Sequence, residues 1–321
     1  MTGPGGRPIV IAGLPRSGTT WTMRVLGTSP DAIRVPEADN EDKYPAAIHA
    51  KAALGRYPCL LPGQEAPPYH RLWEWILSGA PEGWRSVQAR RILGPGAPTR
   101  IFEGDMDLPT WVAATLARHP RPDPRPTGQV VAKSIHAQLS LEWIAEAFDI
   151  TPLVLLRHPA NVLASWMEVQ LKDGRNSTLE SRPEVRARYA DRWDVPMPGD
   201  DPIERMSWRI GLLIAALEET LGRHPTWTVR THEQLCVDSV ATFRELFADL
   251  GLAWGDATEA YLVDNDAPGE GFTTRRVASE LSGSWQRRLD DDQLATLRRV
   301  LGWFTITTWT DADFERTPPV A

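Results

Sequence analysis

Short apolar runs recur along this chain, and most are followed by a stretch whose apolar residues return every three or four positions. Ile9 to Ala12, Ile33 to Val35, Gln129 to Lys133, Leu153 to Leu156 and Trp227 to Arg230 read as strands. The Leu153 run is wholly apolar, the pattern of a strand buried on both faces of a parallel sheet. Behind the first run, Trp21, Val25 and Leu26 share one helical face, and Leu139, Trp143 and Ala147 do the same behind the third. Val240, Phe243, Phe247 and Leu250 predict another helix, with Asp238 as its N-cap and Gly251 as its C-cap. Strands alternating with helices predict an α/β fold, a doubly wound parallel sheet flanked by helices, with ligand at the C-terminal ends of the strands.

From about residue 43 to 128 the pattern breaks. Prolines and glycines are dense, aromatic residues sit between them, and only short amphipathic pieces such as Tyr69 to Leu77 and Thr110 to Ala117 interrupt them. This stretch is expected to be a mostly helical insertion or lid on one domain spanning 1–321, closed by the proline-rich linker from His119 to Pro126. The 321 residues are 42% hydrophobic and carry a net charge of −7, which argues against nucleic acid as a partner. Two cysteines make no disulfide framework, no Cys/His spacing suggests a metal, and no apolar segment is long enough for a bilayer. A cytoplasmic protein with no membrane partner is the expectation.

The chemistry concentrates at Gly13-Leu14-Pro15-Arg16-Ser17-Gly18-Thr19-Thr20-Trp21. Strand, glycine-bounded loop and helix N-terminus together form an anion site, because backbone N–H groups and the helix dipole point at one place. The Gly-x-x-x-x-Gly spacing is that of a P-loop, yet Thr19 stands where a nucleoside-triphosphatase has the lysine for the β- and γ-phosphates.

At these residues the chain resembles the sulfotransferases that use 3′-phosphoadenosine-5′-phosphosulfate (PAPS). The resemblance implies that Arg16, Ser17, Gly18, Thr19 and Thr20 hold the 5′-phosphosulfate, that Trp21 stacks on adenine, and that Arg16 is the catalytic cation. A second segment, Leu155-Leu156-Arg157-His158-Pro159 to Ser165-Trp166, is similar to that family's 3′-phosphate segment, in which the matching Arg157 and Ser165 hold the phosphate. A guanidinium fork plus a hydroxyl suits three phosphate oxygens. Val229 to Leu235 resembles a third segment, with His232 in place of a tyrosine near adenine. Phe272 to Arg276 looks like a late loop in which Arg275 or Arg276 adds charge.

Two residues compete for the general base. His136 follows the strand ending at Lys133, in a segment similar to the family's Lys-x-His but one residue longer; Glu37, with Glu41 nearby, lies in the acidic loop after the second strand. An imidazole poised near neutrality gives His136 the edge. The function implied is transfer of a sulfuryl group from PAPS to a hydroxyl of a small-molecule acceptor, without a metal. The rivals are a P-loop kinase and a non-catalytic nucleotide-binding protein.

Overall fold

The computed structural model describes residues 6–93, 107–123, 126–169, 179–265 and 283–316. In chain order the elements are β1 (Ile9–Gly13), α1 (Thr19–Leu26), β2 (Ala32–Val35), α2 (Pro45–Lys51), α3 (Pro67–Leu77), α4 (Trp84–Leu93) and α5 (Leu108–Ala117). There follow β3 (Gln129–Ser134), α6 (Leu141–Ala147), β4 (Thr151–Leu156), α7 (Pro159–Glu168) and α8 (Pro183–Val185). The remainder is α9 (Pro202–Arg223), β5 (Thr228–Thr231), α10 (His232–Val237), α11 (Ser239–Asp249), α12 (Asp256–Asn265) and α13 (Asp291–Leu301).

The strands form one parallel sheet in the order β2-β3-β1-β4-β5, so the winding reverses at β1, where doubly wound sheets bind ligand. Register places Ile9 beside Val131 and Ala12 beside Ser134, and aligns Val35 with Ala132. β1 and β3 are buried at every position; β1 is apolar throughout, whereas β3 carries the buried polar residues Gln129, Lys133 and Ser134. No helix among the described residues is long and apolar enough to cross a membrane.

The chain forms two compact units. One comprises Met1–Gly13, Thr19–Leu153 and Glu245–Glu259; the other comprises Leu14–Gly18, Val154–Arg244 and Ala260–Ala321. The first unit contains the irregular stretch, whose described residues include the helices α2 to α5. Tyr69, Leu72, Trp73, Trp75 and Ile76 form the buried face of α3. The prolines that interrupt the sequence pattern partly open helices instead of breaking them: Pro45 and Pro67 begin α2 and α3, where the missing N–H has no intrahelical partner to lose.

In the second unit the 22-residue α9 is buried along most of its length, and α13 packs on it. Asp201 caps α9 through the N–H groups of Ile203 and Glu204. β5 lies at the sheet edge and is only half-buried, which is why its apolar signal is weak and its observed span starts one residue later than the apolar run. The expected caps of α11 are present: Asp238 Oδ1 accepts from Ala241 N at 3.0 Å, and Gly251 has φ +68°.

Candidate functional site

The glycine loop is built by tying its carbonyls away from the space an anion would use. A carbonyl oxygen facing a phosphate would repel it, so each needs a donor elsewhere. Leu14 O accepts from the Ser17 hydroxyl at 2.7 Å and from Ser17 N at 3.1 Å. Pro15 O accepts from Trp166 Nε1 at 2.9 Å, and Arg16 O accepts from Arg157 Nη1 at 2.7 Å. Arg16 itself has φ +71°, a left-handed backbone that costs about 1–2 kcal/mol in a non-glycine residue. That strain persists only because the surrounding bonds over-determine the loop.

The second unit therefore brings together residues far apart in sequence. Arg16 Nε donates to Ser165 Oγ at 2.8 Å, and Arg157 grips the same residue's carbonyl. Arg157 is buried, which lowers its pKa to about 10 while Glu233 partly restores it, so the guanidinium stays charged at neutral pH. Its Nε is a buried donor with no partner among the described residues. A buried, charged donor left unpaired costs more than about 1 kcal/mol, so an acceptor placed there would be bound favourably.

His232 packs against the glycine loop. A Cβ on Gly18 would lie 2.1 Å from His232 Cδ2, and Gly18 has φ +89°, so only glycine fits there on two counts. His232 is buried, with Cys236 Sγ 3.4 Å from its Nδ1, and burial followed by the charge of Arg157 holds its pKa well below 6.5. Gln234 closes a capping box with Thr231 at the start of α10. Glu233 Oε1 accepts from His158 N and from Asn161 Nδ2, and Asn161 Oδ1 accepts from Ser284 Oγ and Trp285 N. This chain of bonds fixes the first turn of α7, beside Arg157.

In the first unit, α1 opens at Thr19 with no acidic residue in its first turn, so its dipole is uncancelled. Thr19 is buried, and Thr20 and Trp21 are half-buried. Lys133 Nζ donates to Thr20 Oγ1 at 3.0 Å and pairs with Glu37 Oε1. Burial lowers the Lys133 pKa and Glu37 opposes that shift. Glu37 keeps a 26% exposed side chain on a left-handed backbone, φ +54°, and Ala38 N donates to Lys133 O at 2.7 Å. The acidic loop is thus stitched to the C-terminal end of β3.

His136 sits differently from Glu37. It is 4% exposed, and its Nδ1 lies 3.2 Å from Lys51 Nζ. Burial, then the charges of Lys51, Arg56 and Lys133, push its pKa well below 6.5, so it is neutral, with Nδ1 as the acceptor. Glu41 is also buried, paired with Lys51 at 2.9 Å and Arg56 at 2.7 Å. Burial raises its carboxyl pKa, but the two cations outweigh that and hold it below the usual range.

The sequence assigns no role to Lys133, beyond the Lys-x-His likeness, and none to Lys51. Lys133 was visible as a lone charge in an apolar strand; Lys51, at the end of an ordinary short helix, gave no signal. Arg275 and Arg276 lie outside the described residues.

A family model described as the sulfotransferase family matches residues 8–256. Among solved structures, a sulfotransferase domain from the curacin biosynthetic pathway is similar at 12% identity, covering 95% of this chain and 100% of that one, with a TM-score of 0.49. A sulfotransferase domain from the Synechococcus PCC 7002 olefin synthase matches at 15% identity over 93% of this chain and 95% of its own, TM-score 0.44. Sulfotransferase STF9 from Mycobacterium avium matches at 12% identity over 95% and 78%, TM-score 0.41. No curated protein matches the sequence significantly.

Proposed function

The chain belongs to the sulfotransferase family, and on that premise we propose that it moves a sulfuryl group from PAPS to a hydroxyl of a small-molecule acceptor, releasing adenosine 3′,5′-bisphosphate. The observation that carries this is the meeting of Arg16, Ser165 and Arg157, with the buried Arg157 Nε still in want of an acceptor. The residues suit the donor. Arg157 presents a fork to the 3′-phosphate, and Ser165, which accepts from Arg16, keeps its own O–H to donate. Gly18 lets the backbone approach where any side chain would collide with His232.

In this reading the acceptor oxygen forms a bond to sulfur while the bond from sulfur to the bridging 5′-phosphate oxygen breaks. Arg16 stabilises charge on that leaving oxygen. The Glu37 carboxylate, paired with Lys133, receives the acceptor proton. The partial exposure of Glu37 favours it over His136 as the base, since the imidazole is enclosed and its Nδ1 is occupied by Lys51.

Two measurements test the proposal. Adenosine 3′,5′-bisphosphate should raise the melting temperature without magnesium, more than ATP does. A larger, magnesium-dependent shift with ATP would favour the kinase reading. With PAPS and a panel of alcohols and phenols, Glu37→Gln should slow bisphosphate release by roughly 10²–10⁴-fold with donor affinity kept, because a base acts on the acceptor. Wild-type turnover in Glu37→Gln would refute its role.

A further inference from the structure

Lys51 is 0% exposed, and its ammonium has three protons to place. The structure gives it three acceptors, each from a different residue of the first unit: Asp39 O at 3.0 Å, Glu41 Oε2 at 2.9 Å and His136 Nδ1 at 3.2 Å. Asp39 and Glu41 belong to the acidic loop, and His136 belongs to the turn that leaves β3. The loop carries Glu37 two residues before Asp39, and β3 carries Lys133 three residues before His136.

A parallel set of neutral donors reinforces the same junction. Asp39 accepts from Ser134 Oγ and from Tyr69 OH at 2.9 Å. Ser134 Oγ in turn accepts the N–H groups of His136 and Ala137, each at 3.0 Å. These bonds fix the loop to the strand end, and Lys51 adds a charged atom that reaches both sides at once. Such saturation explains why a charge tolerates full burial: every proton is used, and Glu41 supplies the counter-charge.

We propose that Lys51 is the positioning residue of the Glu37–Lys133 pair, acting by clamping the acidic loop to the turn after β3. It holds Glu37 in its left-handed conformation within reach of Lys133, and it makes His136 an acceptor that completes the clamp. The inference rests on the assignment of Glu37 and Lys133 above, and the tests separate the two.

Lys51→Met keeps length and removes all three donors; Lys51→Arg keeps the charge but cannot place three donors on one atom. Each is checked for folding by melting. In a folded variant, kcat with PAPS should fall at least tenfold while KM for PAPS and affinity for the bisphosphate stay within twofold. In a Glu37→Gln background the same change should lower kcat by less than twofold, because Lys51 acts only through Glu37. If Lys51→Met does not fold, Lys51→Arg carries the test, and wild-type kcat in it overturns the proposal. The hold on the pair is also read without turnover, from the ¹⁵N signal of the Lys133 ammonium, which should shift in either variant. An unchanged signal in a folded variant overturns the positioning role whatever Glu37 does. A shifted signal together with wild-type turnover in Glu37→Gln sinks the base assignment and leaves the clamp standing.

Discussion

Replacing Arg157 by alanine removes two things at once. One is the bond to Arg16 O that braces the glycine loop, and the other is the buried Nε, which under the proposal above holds the 3′-phosphate. With a pKa of about 10, the native guanidinium is charged at neutral pH, so both are charge-assisted. A hydrogen bond from a charged group contributes about 1.5–3 kcal/mol. Losing the ligand fork alone then weakens the bisphosphate by roughly 10- to 150-fold, at 1.4 kcal/mol per decade. Relaxation of the loop adds to this. Arg157→Lys keeps the charge but not the planar fork, and should fall between wild type and alanine. Isothermal titration with adenosine 3′,5′-bisphosphate measures all three proteins, and circular dichroism verifies that they are folded. A folded Arg157→Ala protein binding within twofold of wild type would show that the arginine serves only to hold the loop and strand end.

Ser165→Ala should cost less, about 1 kcal/mol or a fivefold rise in Kd, since a neutral hydroxyl is lost; a loss equal to that of Arg157→Ala in the same titration would contradict this ranking. Gly18→Ala should both lower the melting temperature and abolish measurable bisphosphate binding, because the new methyl meets His232 and the backbone is left-handed; binding retained in a calorimetric titration would mean that the loop has another conformation. Burial, with the Arg157 charge adding to it and Asp313 opposing it, lowers the His158 pKa to about 4. The unfolded chain binds that proton first as pH falls, near 6.5. The stability from His158 is therefore full above about pH 6.5 and lost on the way to 4, a loss of about 2 kcal/mol by pH 5. Urea unfolding at pH 7.5 and 5, compared with His158→Phe, measures the difference; an equal pH dependence in both proteins would refute it.

The sequence by itself determined the sheet, most of its strands and the glycine loop. These depend on local signals: apolar runs that must be buried on both faces, glycines that alone accept positive φ, and prolines that start helices. It also offered Arg16, Arg157 and Ser165 as candidates, through the resemblance of their two segments to the sulfotransferases. Tertiary structure alone decided what those residues touch. Arg157 reaches Arg16 across 141 positions, and Ser165 reaches it across 149. No local pattern reports a contact at that separation. Our proposal of Glu37 over His136 as the base turns on burial in the same way. His136 and Glu37 both read as polar residues just beyond a strand, but Lys51 takes up the imidazole nitrogen of one, while the other keeps an exposed edge. Lys51 itself left no trace in the sequence, because a lysine at the end of a short helix is ordinary. Its three acceptors come from two chain segments that the fold alone brings together, and only that meeting turns an unremarkable side chain into a fully buried, fully satisfied cation.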